Sequence, residues 1–228
     1  MLTWIAVNVA LIGIAYLLGS IPPGYWAGKL LQGIDIREHG SGSTGATNVL
    51  RTLGKGPAIA VFLVDVLKGV AAIALIRWAY NLSAFQALAV GSLGLTWLPW
   101  MVVLAGMAAL LGHSKSILLN FTGGKSVATS LGVLLAMNWI VGLGTFGLFL
   151  VVLALSRIVS LSSITGAIAV SGLMWFTGQP LPYILFGIAG GLYVIARHRT
   201  NIQRILSGTE PRLGQKLPDA APEAEQAG

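Results

Sequence analysis

The chain contains no cysteine, which excludes disulfides, thiolate metal ligands and a thiol nucleophile. Charge is scarce as well: charged residues make up 9% of its 228 positions, against roughly one-quarter in a soluble domain. Its three histidines, His39, His113 and His198, stand in separate polar segments without the spacing of a zinc site. The net charge of +7 is not gathered on a basic face with interleaved aromatics, so it does not point to nucleic acid. Apolar residues fill the remainder, at 55% of the chain with a mean hydropathy of +0.82.

Apolar segments near the length that crosses a bilayer, about 17–25 residues, recur along the whole chain. They predict an all-α integral membrane protein of about seven transmembrane helices. The first, Thr3 to about Leu31, is too long for a cleavable signal and is interrupted by Ser20-Ile21-Pro22-Pro23-Gly24, which should kink or break it and leave backbone groups free near a polar site. Further spans are expected over about Pro57–Tyr80, Pro99–Gly112, Val127–Met137 and Trp139–Ser156, then from Ser163 to about Phe176 and onward to about Ala196. Asn81–Trp100 reads as interfacial or partly inserted. Residues 1–210 form a single domain on this reading, and the Pro-, Ala-, Gln- and Glu-rich residues 211–228 a disordered tail.

With seven spans and the N-terminus outside, twelve of the fourteen lysines and arginines fall on the cytoplasmic side. Arg77 lies opposite and Lys68 within a span, an asymmetry that supports this orientation. The polar motifs then share one face. The first, Arg37 to Arg51, combines glycines that admit a close ligand, hydroxyls, Asn48 and a planar cation, which is anion-binding chemistry. Gly40-Ser41-Gly42-Ser43-Thr44-Gly45 matches a dinucleotide-loop pattern, but no strand precedes it. If the chain is helical from Thr47, then Thr47 and Arg51 share a face.

The second motif, Gly123-Gly124-Lys125-Ser126, lacks the earlier glycine of a nucleotide P-loop. It nevertheless sets consecutive N–H groups and a lysine at a helix start, where a phosphoryl group is favoured. The third runs from Arg197 to Glu210. On a continuing helix His198, Asn201 and Arg204 lie close together, and cationic neighbours favour a neutral His198. Glu210 is expected to anchor this segment through an arginine. Asp65 and Lys68, three residues apart within a span, are expected to form a buried supporting pair.

Taken together, Gly40-Ser41-Gly42-x-x-Gly45-Ala46-Thr47-Asn48-x-x-Arg51, Gly112-His113 with Gly123-Gly124-Lys125-x-Val127-Ala128-Thr129, and Arg197-His198-Arg199-x-Asn201-Ile202-x-Arg204 with Gly208-x-Glu210 resemble the bacterial membrane acyl-phosphate:glycerol-3-phosphate acyltransferases. Asp65-x-x-Lys68-Gly69 fits too. The resemblance runs from about Leu17 to Glu210. Ser43, Thr122 and Ser126 stand where the family commonly has Asn, Lys and Gly, and Ser114-Lys115-Ser116 lacks the usual Pro.

The resemblance implies transfer of a fatty acyl group from acyl phosphate to the 1-hydroxyl of sn-glycerol 3-phosphate. The products are lysophosphatidic acid and phosphate. It implies seven helices in the bacterial inner membrane, a site on the cytoplasmic face beside membrane lipid, and no cofactor or metal. Carried over by position, Ser41, Arg51, Lys125, His198 and Asn201 are the expected catalytic residues. Ser43, Gly45, Thr47, Asn48, Gly123, Gly124, Ser126, Ser163 and Arg204 are the expected substrate contacts, with Asp65, Lys68 and Glu210 in support. Two other classes remain open: a transporter of a phosphorylated metabolite, which would normally show internal repeats that this chain lacks, and a membrane lipid phosphotransferase, which needs metal-binding carboxylates where Asp65 is the one candidate within a span.

Overall fold

A computed structural model describes residues 1–89 and 93–215, with the backbone alone for 93–95. Of the expected tail, residues 211–215 fall within this range, and Leu213 N donates to Arg157 O at 2.6 Å. Lys216 and the rest of the tail lie outside the described residues. So do residues 90–92 of the stretch expected to be interfacial.

The helices run in the order α1 Leu2–Ser20, α2 Pro23–Gln32, α3 Ala46–Thr52, α4 Lys55–Asn81, α5 Ser83–Gln86, α6 Leu93–Ser114, α7 Val127–Met137, α8 Trp139–Ser156, α9 Val159–Phe176, α10 Leu181–Arg197 and α11 Arg199–Leu206. Among the described residues the remainder is turns, two short 3-10 segments and one isolated antiparallel bridge from Ser116 to Thr122. Among the described residues five segments are long and apolar enough to cross a membrane. A sixth arises if α10 and α11, bent by 64° at His198, count as one span. The chain is a multi-pass membrane protein.

The fourth expected span departs from the seven-span reading. At eleven residues α7 is about 16 Å long, roughly half the hydrocarbon thickness, and does not cross alone. It packs on α4 through Gly69 and Gly132: a Cβ on Gly69 would overlap the Thr129 carbonyl, and one on Gly132 the Val66 carbonyl. Such close backbone approach is how helices associate where water supplies no hydrophobic drive. Because Thr129 meets Gly69, α7 starts well down α4, and its first turn sits near Asp65, about 15 Å along the helix from Lys55. The Gly-Gly-Lys loop therefore reaches inward.

Other boundaries shift for local reasons. The first span breaks at Ile21–Pro22, with Pro23 in the first turn of α2, where its missing N–H costs nothing. The carbonyls freed there are not left open: Ile21 O accepts from Lys68 Nζ at 2.7 Å and Ser20 O from Ser116 Oγ at 2.6 Å. Pro99, expected to begin the third span, lies inside α6. The serine-rich connection from Arg157 is mostly helix, because α9 already starts at Val159. Asn138 caps α8 through its Oδ1, which accepts from the N–H groups of Ile140 and Val141. Ile73, Ile76, Val102, Ala105, Leu110, Val133, Val141 and Met174 form the buried centre, while Leu63, Leu67, Leu143 and Leu192 point outward.

Candidate active site

Three polar segments meet beside the first turn of α7. Ser41, Ser43, Gly45, Thr47, Asn48, Arg51, Asp65, Lys125, Ser126, Ser163, His198, Asn201 and Glu210 line one cavity. Gly123, Gly124, Lys68 and Arg204 lie outside its wall and act on it through neighbours.

The first loop is built around Asn48. Its Oδ1 accepts from Ser41 N at 2.8 Å, and its Nδ2 lies within 3.0 Å of the carbonyls of Ile36, His39 and Ser43. Gly40, at φ +59°, has no room for a side chain because a Cβ would overlap Asn48 Oδ1. Asn48 was expected as a substrate contact. Its amide is committed to the loop backbone instead. The residues left available are those whose side chains carry no protein hydrogen bond among the described residues: the Ser41 and Thr47 hydroxyls and the half-buried Arg51 guanidinium. Asn48→Ala is expected to cost about 3 kcal/mol, since buried carbonyls lose their donor, and to show as a lowered Tm in detergent with lost activity.

The second segment rests on a buried cluster. Asp65 Oδ1 lies 2.8 Å from Lys68 Nζ and 3.3 Å from His113 Nδ1. The far side of the His113 ring fills the space a Cβ on Gly124 would need, and His113 O accepts from Gly124 N at 3.2 Å. Arg197 holds the same loop from α10 by donating to Gly124 O at 3.1 Å. Thus both glycines allow the loop to lie flat on α6. Lys125 is thereby turned into the cavity, where its Nζ donates to Asn201 Oδ1 at 2.6 Å. Burial, with lesser contributions from Arg204, Arg51 and Arg197 against the opposing Glu210, brings the Lys125 ammonium down to about 8.

The third segment is fixed by Glu210. Oε1 accepts from Ser160 Oγ at 2.7 Å and Asn201 Nδ2 at 2.6 Å, and Oε2 from Arg204 Nε at 2.6 Å. Burial pushes the Glu210 carboxyl up, but these donors outweigh it and hold the group below its ordinary value. They also set the Asn201 amide so that its oxygen faces Lys125. Arg204, expected at substrate, gives its Nε to Glu210.

His198 stands at the bend between α10 and α11, not on the continuous helix expected from sequence. Its Nδ1 lies 2.8 Å from Val194 O, which requires Nδ1 to carry the proton and leaves Nε2 as an acceptor. Burial, aided by the charges of Lys125 and Arg197, brings its pKa down to about 4, so the ring is neutral at pH 7.

A second, apolar cavity runs between α7, α8, α9 and α10. Phe62, Val127, Ala128, Phe149 and Ser163 line both cavities, so the polar pocket continues into an apolar groove. Sequence reasoning gave no roles to His113, Ser160 or Arg197. The signal for His113 was its place beside Gly112 in the second motif, and Ser160 stood in the serine-rich connection. The groove's apolar lining carried no signal distinguishing it from lipid-facing positions.

The family model described as glycerol-3-phosphate acyltransferase matches residues 9–208. A glycerol-3-phosphate acyltransferase of Nostoc sp. is 67% identical over 215 residues, covering 94% of this chain and 95% of the relative. One from Trichodesmium erythraeum is 58% identical over 221 residues, covering 95% and 96%. Among solved structures, PlsY (YgiH), an integral membrane glycerol 3-phosphate acyltransferase, in its glycerol 3-phosphate form, superimposes with a TM-score of 0.78 at 39% identity over 91% of this chain and 96% of that one. Its lysophosphatidic acid form gives 0.76. On this match of family, relatives and fold, the chain belongs to the glycerol-3-phosphate acyltransferase family.

Proposed function

We infer that the chain transfers a fatty acyl group from acyl phosphate to the 1-hydroxyl of glycerol 3-phosphate, giving lysophosphatidic acid and phosphate. The observation that carries this reading is the junction of the two cavities. A pocket bearing unpaired Arg51 and the ammonium of Lys125 opens at Phe149 and Ser163 into an apolar groove, which suits a phosphate and an acyl chain held end to end. Arg51 and the first loop hold one phosphate, and Lys125 at the start of α7 holds the other, where cation and helix N-terminus act with the same sign.

The glycerol hydroxyl oxygen attacks the acyl carbonyl carbon, the bond from that carbon to the phosphate oxygen breaks, and phosphate leaves with the electron pair. The hydroxyl proton passes to a phosphate oxygen. Neutral His198 accepts a hydrogen bond from the hydroxyl through Nε2 and orients it, while Asn201 holds Lys125 in place. Glu210 and Asp65, the carboxylates that line the cavity among the described residues, are both tied into ion pairs and neither serves as base. Positioning and stabilisation of the leaving phosphate lower the barrier. The donor test compares acyl phosphate with acyl-CoA: turnover is expected with the first alone, and equal turnover with acyl-CoA would contradict the assignment.

The site lies on the cytoplasmic face of the bacterial inner membrane, where the cation excess argues that the motif loops sit. The absence of native cysteine makes this directly testable. A single Cys replacing exposed Lys55 should react in intact cells only with a membrane-permeant maleimide, and labelling by an impermeant one would reverse the orientation.

The pH dependence follows from Lys125. Its charge is lost as pH rises through about 8, so kcat/KM, which reports the free enzyme, should fall above that pH. Bound phosphate stabilises the ammonium and should move the same limb in kcat to higher pH. Lys125→Arg, which stays charged, should remove the limb. An unchanged alkaline limb in that variant would assign it to another group.

A further inference from the structure

Two glycines that line the apolar groove, Gly166 of α9 and Gly190 of α10, are unexplained by the packing of their helices. Gly191 illustrates the contrast, since a Cβ there would overlap the Ala167 carbonyl and glycine is needed for α9 and α10 to meet. A Cβ on Gly190 would instead lie 3.6 Å from Phe186 Cζ and 3.7 Å from Leu110 Cδ2. One on Gly166 would lie 3.4 Å from Thr145 Cγ2. These are ordinary contacts. Neither glycine has a positive φ, and each sits inside a helix, where glycine is disfavoured relative to alanine. Both are buried and both line the groove.

The space beside them belongs to the groove. The buried hydroxyls of Ser130 and Thr145 line the same groove and have no hydrogen-bond partner among the described residues. Gly166 is three residues after Ser163, about 5 Å along α9, and Gly190 eight residues before His198, about 12 Å back along α10, so both lie beyond the polar end. Phe186, Leu134 and Val170, all buried, wall the groove farther on.

We propose that Gly166 and Gly190 form a slot through which the donor's acyl chain passes, making them specificity-determining residues for chain length. This rests on the acyl-transfer reading above. A short chain ends before the slot, whereas a long chain must thread it. A side chain at either position takes up groove space and penalises long chains selectively.

The test measures kcat/KM of the purified full chain with butanoyl and palmitoyl phosphate, glycerol 3-phosphate being saturating, for the parent protein, Gly190→Leu and Gly166→Val. The palmitoyl-to-butanoyl ratio is expected to fall at least tenfold in each variant, with butanoyl turnover within about twofold of the parent. An unchanged ratio would overturn the slot, whether both donors fall together or neither changes. Gly190→Ala covers a failure of the larger variants to fold: its single methyl makes ordinary contacts, and the ratio should fall several-fold with Tm unchanged. An unchanged ratio there would equally overturn the slot. If the parent protein releases no phosphate from either donor, the acyl-transfer reading itself fails, which is distinguishable from a parent that is active with variants of unaltered selectivity.

Discussion

Lys125→Ala is expected to lower kcat/KM by two to three orders of magnitude, the range found when one preorganised group that stabilises developing charge is removed. The reason is positional. Lys125 is the cation that the Gly-Gly loop, Asn201 and the start of α7 jointly direct into the cavity, and the leaving phosphate gains charge as its bond to the acyl carbon breaks. The loop itself is held through its backbone by His113 and Arg197, not through the lysine, so Tm in detergent should change little. Arg51→Ala should act differently if it grips the phosphate of glycerol 3-phosphate in ground and transition states alike, raising KM for that substrate more than it lowers kcat. Near-normal kinetics in a folded Lys125→Ala protein would remove the residue from the mechanism.

Asp65→Ala is expected to be the most destabilising single change considered. It leaves Lys68, 4% exposed, without its carboxylate and removes the partner of His113. Breaking a buried pair from one side costs about 3–5 kcal/mol because the remaining charge is uncompensated. In a chain of this size that corresponds to a Tm drop of roughly 10 °C. The loss should reach the site as well, since Lys68 ties down Ile21 O and His113 underlies Gly124. Asp65→Leu combined with Lys68→Met, which removes both charges, should recover much of the stability. If the double variant were no more stable than the single, the pair would not be the source of the effect.

The polar half of the site was legible in the sequence because polar residues are costly at membrane depth and therefore conspicuous in so apolar a chain. Ser41, Arg51, Lys125, His198 and Asn201 could be named as candidates, and the cavity brings all five together. What each side chain is free to do was not legible. Asn48 looks like a ligand in a motif, yet its amide is spent on the loop backbone, and only tertiary contacts reveal that role. Hydropathy likewise showed an apolar stretch from Val127 to Met137 but not that α7 starts deep beside Asp65, because a half-length helix and the end of a full span have the same composition. The groove was hidden for a similar reason. Phe149, Val170 and Gly190 match residues that face lipid until the neighbouring helices are in place.

The most direct measurement of the central claim is the stoichiometry of the reaction in a system of purified protein, palmitoyl phosphate and glycerol 3-phosphate, without ATP, coenzyme A or divalent metal. The expected result is one phosphate released for each lysophosphatidic acid formed, with neither product accumulating above the spontaneous rate when glycerol 3-phosphate is omitted. Phosphate released at an undiminished rate without glycerol 3-phosphate, or no lysophosphatidic acid with both substrates present, would contradict it.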